Sequence, residues 1–127
     1  MRREEFEKLV EEGYGRLPQW VREKIKNVAL LVEDEPRAAL VRAQGLDPHE
    51  DTLLGFYQGI PQTARGENYG IGMTLPDTIT LFQFPIEDAA QEDGIDVRDV
   101  IAETIWHEFA HHFGMDEEAV REREKEK

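Results

Sequence analysis

The eleven residues from His107 to Glu117, His-Glu-Phe-Ala-His-His-Phe-Gly-Met-Asp-Glu, constrain this chain most, because they ask for a helix that stops abruptly. On an α-helix His107 and His111 are four positions apart, so they project from one face, separated by roughly 40° around the axis. Two imidazoles so placed can grip one ion. Glu108, the next residue round, stands where a carboxylate can take a proton from a metal-bound water without itself ligating the metal. Gly114 permits a left-handed backbone, which ends the helix and turns the chain back. Asp116 or Glu117 is then placed to supply a third ligand.

Composition narrows the remaining possibilities. A chain of 127 residues is expected to form one domain, residues 1–127, with a single modest core. It has no cysteine, so thiolate metal sites, disulfides and thiol catalysis are excluded. The metal that suits two histidines and a carboxylate is Zn²⁺. The net charge of -13, from 15 Lys plus Arg against 28 Asp plus Glu, disfavours nucleic acid and anionic membranes as partners. The N-terminal Met-Arg-Arg-Glu-Glu-Phe-Glu-Lys lacks the apolar stretch of a signal peptide, so a cytoplasmic location is expected.

Hydrophobic periodicity sets out the elements. Phe6, Leu9 and Val10 have helical spacing within Arg3 to Glu12, Gly13 to Pro18 break that helix, and a second runs from Gln19 to Lys26. The run Val28 to Glu33 suits a central strand buried on both faces. Leu53 to Tyr57 and Thr78 to Phe84 read as two further strands, and Gly59 to Pro76 as a loop. A short acidic helix is expected between Pro85 and Gly94, and Asp96 suits the N-cap of the last helix, which runs to about Phe113. The fold class is therefore α+β, a small mixed sheet of about three to four strands packed on the motif helix and the N-terminal helices.

On the wheel of that last helix, Val97, Val100, Ile101, Thr104 and Ile105 share a sector with His107, Glu108 and His111, so the candidate ligands are expected to face inward. A buried imidazole or carboxylate without a partner costs about 1–3 kcal/mol, which a metal and its water relieve. Trp106, Phe109 and Phe113 are expected to pack on flanking elements. His112 lies roughly 100° round from His111 and reads as a supporting or surface group, as does His49 in its loop. Tyr57 and Tyr69 are candidates to approach the site and stabilise an oxyanion, although spacing does not place them there.

The segment His107 to Glu117 resembles the metzincin pattern His-Glu-x-x-His-x-x-Gly-x-x-(His or Asp) of the zincin metallopeptidases. The whole chain is similar to the small bacterial minimal zincins, the zincin-like metallopeptidase family, whose motif lies near the C-terminus. The similar segments are the N-terminal helix into Asn27-Val28, Leu75 to Leu81, Pro85 to Glu87, and Trp106 to Glu117. The resemblance implies a zinc-dependent hydrolase of peptides or proteins, with His107 and His111 as ligands and Glu108 as general base. It puts Glu117 in the third-ligand position. There the chain departs from the family pattern, since Glu is longer than Asp, and Asp116 beside it is the alternative. Only residues 118–127 follow, too few for the methionine turn of larger metzincins, so a shallow cleft, or one completed by a partner, is expected.

In zincins the substrate lies extended against an edge strand beside the motif helix, and Thr78 to Phe84 is the expected strand, with Gly70 and Gly72 lending mobility to the loop before it. Two other classes fit the same residues: a zinc-binding protein without catalysis, and a peptide or protein interaction module on the same scaffold.

Overall fold

The computed structural model describes residues 1–59 and 76–112. Five helices and three strands are found among them: α1 (Arg3–Gly15), α2 (Gln19–Lys24), β1 (Val28–Glu33), α3 (Ala38–Ala43), β2 (Gly55–Gln58), β3 (Asp77–Phe82), α4 (Gln83–Asp93) and α5 (Val97–His112). The mixed sheet has the order β1-β3-β2, with β1 parallel and β2 antiparallel to β3. This is the α+β architecture expected from the sequence.

Helix α1 runs through Gly13, where the sequence reading breaks it. Phe6, Val10 and Gly13 form its buried stripe. A Cβ on Gly13 would come within 2.8 Å of both the Arg98 carbonyl oxygen and Ile101 Cγ2. The glycine is there for close approach of α1 to α5, and its cost in helix propensity is offset by that packing. The junction is also tied by charge, as Arg16 Nη1 donates to Asp99 Oδ1 at 2.6 Å.

The sequence reading makes β1 central, but β3 takes that place, paired from Val28↔Asp77 to Glu33↔Phe82 on one side and from Gly55↔Leu81 to Gln58↔Thr78 on the other. In β3 the alternation Thr-Ile-Thr-Leu buries Ile79 and Leu81 completely. Among the described strands β1 is at the edge, with Leu31 47% exposed, so its continuous apolar run is covered on one face only.

Strand β3 passes directly into α4. Gln83, expected within the strand, opens the helix, because a proline in the first turn, here Pro85, costs no intrahelical hydrogen bond. Gln83 is buried and satisfied: its Nε2 donates to the Met1 carbonyl at 2.9 Å, and Arg3 Nε donates to its Oε1 at 3.1 Å. Helix α3 has no counterpart in the sequence reading.

Helix α5 closes the core. Val100, Ile101, Thr104, Ile105, Phe109 and Ala110 are buried, and Val100, Ile101, Ile105 and Phe109 form one cluster with Phe6, Val10, Val21 and Ile25 from the N-terminal helices and Ile79 and Leu81 from the sheet. The buried Thr104 hydroxyl donates to the Val100 carbonyl at 2.7 Å, so it brings no unmet polar group into the core. Asp96 caps the helix as expected, its Oδ1 accepting from the Arg98 N–H at 2.8 Å. Arg98, mainly through its side-chain hydrogen bonds, holds the Asp96 carboxyl well below the usual carboxylate range. The later turns are held by aromatic packing, with Trp20 edge-on to Trp106 at 5.2 Å and to Phe109 at 5.8 Å.

Candidate active site

The chemistry-bearing side chains lie on the last turns of α5, where that helix passes β2. The close approach depends on Gly55, since a Cβ there would meet Thr104 Cγ2 at 2.7 Å and the Thr80 carbonyl oxygen at 3.1 Å. With β2 this near, the main-chain N–H of Tyr57 donates to Glu108 Oε1 at 3.0 Å. Glu108 is thereby half-buried and fixed by one oxygen. Burial pushes its carboxyl above the ordinary value, opposed by the Tyr57 hydrogen bond and by attraction to His111 and His107.

The histidines sit on the rim and not in the core. His107 keeps 39% of its side chain exposed, with Nε2 3.5 Å from Glu103 Oε1, and His111 is exposed. The inward placement expected from the wheel holds for Val100, Ile101, Thr104 and Ile105 and in part for Glu108, but not for His107 and His111. The reason is that α5 is covered by α1 on one side and by the sheet on the other, which leaves the sector of His107 and His111 at the open margin. A rim position lets these imidazoles meet a ligand from outside, whereas a core position would have blocked it.

Tyr57 does approach the site, but its hydroxyl is directed elsewhere. The phenol donates to Asp77 Oδ2 at 2.8 Å, and the ring stacks on His112 with centroids 3.8 Å apart and planes at 15°. His112 Nε2 lies 3.9 Å from the same Asp77 oxygen. His112 thus supports the strand–helix contact. Asp77 is the residue that sequence reasoning missed; its place at the mouth of β3, two pairs along from the Tyr57↔Ile79 match, is visible only in the register. His49 stays in its exposed loop, where its N–H donates to Asp47 Oδ1 at 3.0 Å.

Among the described residues, no three His, Asp or Glu side chains gather closely enough to hold a metal ion. Glu117 and Asp116, the two candidates for a third ligand, lie outside the described residues, as do Gly114, Phe113, Tyr69, Gly70 and Gly72. The donor chemistry nevertheless suits zinc: two imidazoles four apart on one helix, a carboxylate between them, and an exposed approach.

A zincin-like metallopeptidase family model matches residues 25–127. The chain belongs to the zincin-like metallopeptidase family. The match spans β1, the whole sheet, α5 and the motif, and leaves out only α1 and α2. A conserved hypothetical protein from Thermo thermophilus has a similar fold, with a TM-score of 0.52 and 23% identity over 96% of this chain and 99% of that one. No curated protein matches. Family membership brings a metallopeptidase-type scaffold and zinc binding in general. No helix among the described residues is long and apolar enough to cross a membrane.

Proposed function

We propose that this zincin-like protein is a zinc-dependent metallopeptidase that hydrolyses peptide bonds, with Glu108 as general base. The observation that carries the reading is Glu108 itself: half-buried beside two histidines, with Oε1 fixed by the Tyr57 N–H and its pKa raised. A base poised nearer neutrality both accepts a proton and gives it up efficiently. Bound zinc would supply a lowered pKa for water and polarisation of the scissile carbonyl. His107 and His111 would hold it, joined by Glu117 or, in its place, Asp116.

The chain's own contribution is orientation and proton transfer. The Tyr57 N–H fixes the Glu108 carboxylate, which leaves Oε2 to take a proton and pass it to the leaving amine. Strand β3, expected from the sequence to align the substrate, has both edges paired and cannot do so. Among the described strands the edge beside α5 belongs to β2, so an extended substrate would lie along that strand.

Removal of metal with a chelator tests this reading against a purely structural zinc site. Hydrolysis of a peptide library should stop and return with added zinc, while circular dichroism shows the helices intact throughout. Unfolding on metal removal, with no hydrolysis in the zinc-loaded protein, would favour a structural site.

A further inference from the structure

A cleft of about 360 Å³ opens beside the motif and shares His107 and Glu108 with it. Its volume falls within the range of small-ligand sites, about 300–1,000 Å³. One wall is apolar, formed by Leu53 and Leu54 ahead of β2, Ala89 on α4, Ile95 in the turn between α4 and α5, and Val100 on α5. Among its described lining residues Asp93, Glu103 and Glu108 are acidic, and none is Lys or Arg. Asp93 is the final residue of α4, so the partial negative charge of that helix end adds to the field. Glu103 Oε1, 3.5 Å from His107 Nε2, lies on the side of the cleft nearest the motif.

An apolar wall with carboxylates suits one kind of side chain. Lysine and arginine lay an aliphatic stem along apolar surface and keep the charged head among acidic groups and water. A wholly apolar side chain would leave the carboxylates unused, and an acidic one would be repelled. We propose that this cleft takes the lysine or arginine side chain of a peptide substrate, with Asp93 and Glu103 setting the preference for positive charge. The proposal rests on the peptidase reading, and it makes basic peptides the substrate class.

Binding tests it separately from catalysis. The probes are acetyl-Ala-Ala-Lys-Ala-amide and the same peptide with norleucine in place of lysine, titrated into the full-length protein and followed by backbone amide shifts. Each exposed ion pair contributes severalfold, so the lysine peptide should bind about tenfold more tightly. Shifts should centre on residues 52–55, 89–95 and Glu103. Asp93 is exposed and the Glu103 side chain is 63% exposed, so a D93N/E103Q variant should fold normally and lose most of the preference. Glu4→Gln, on exposed α1 surface, should leave it unchanged and so separate a local effect from net charge. Equal binding of the two peptides, no binding of either, or a preference that survives D93N/E103Q would overturn the proposal. Cleavage without any basic preference would overturn it while the peptidase reading stands; lysine-selective binding without cleavage would do the reverse.

Discussion

The Tyr57 N–H reaches Glu108 Oε1 over 3.0 Å, so the strand beside the motif helix fixes the one carboxylate that the proposed chemistry requires. Among the described strands β2 is at the edge, and one of its main-chain donors orients a side chain on a neighbouring helix. The same burial that holds Glu108 disfavours its charge, which ties the geometry of the site to its pH behaviour.

That link can be measured in the metal-free protein. A carboxyl whose folded-state pKa is raised binds its proton more tightly folded than unfolded, so the fold loses stability as pH rises through the folded value. Glu108→Gln should therefore raise the thermal midpoint of the metal-free protein at pH 7, with the difference vanishing below the ordinary value of 4.5. A variant less stable than wild type at pH 7 would contradict the burial argument.

Gly13→Ala reverses an ordinary rule. Alanine in a helix interior normally gains about 0.5–1 kcal/mol over glycine. Here the new methyl group meets the Arg98 carbonyl and Ile101 at 2.8 Å, so destabilisation of about 1–3 kcal/mol is expected by denaturant titration. Gly55→Ala should also destabilise, since its methyl would meet Thr104 Cγ2 at 2.7 Å. A stabilised Gly13→Ala protein would refute the close α1–α5 contact.

Tyr57→Phe separates two roles for that residue. An oxyanion donor would cost roughly 10²–10³ in kcat when removed. Because the hydroxyl donates to Asp77, the expected loss is within about tenfold, the worth of one ordinary hydrogen bond. A thousandfold fall in kcat with unchanged folding would restore the oxyanion role.

The site residues differ in how far the sequence reveals them. That His107, Glu108 and His111 lie together on the last turns of α5 is legible because helical spacing alone brings them together, and the Asp96 cap is legible because a cap acts on neighbouring backbone. Their depth is less legible: the wheel orders residues around an axis but does not say how far the sheet and α1 extend over them. Strand β1 shows the same limit, since a short apolar run has the same composition at an edge as in the centre. Gly13 misleads because glycine signals both a helix end and a close helix contact, and only the partner helix distinguishes them. The Tyr57–Asp77–His112 cluster joins residues from two strands and a helix, and no local pattern announces it.

The third ligand is tested by zinc affinity. Glu117→Ala should weaken zinc binding at least about tenfold, as ligand loss costs no less than loss of a ligand's supporting partner, whereas Asp116→Ala should leave it nearly unchanged. The opposite ranking would assign Asp116 to the metal.

Zinc content and cleavage of a mixed-sequence peptide library, compared between wild type and Glu108→Gln, test the general-base role of Glu108. Both proteins should hold zinc, the wild type should cleave, and the variant should lose at least about 10² in rate, the share that general base catalysis supplies. Undiminished cleavage by Glu108→Gln would remove Glu108 as the base, and a wild type that takes up no zinc would remove the metal-dependent mechanism.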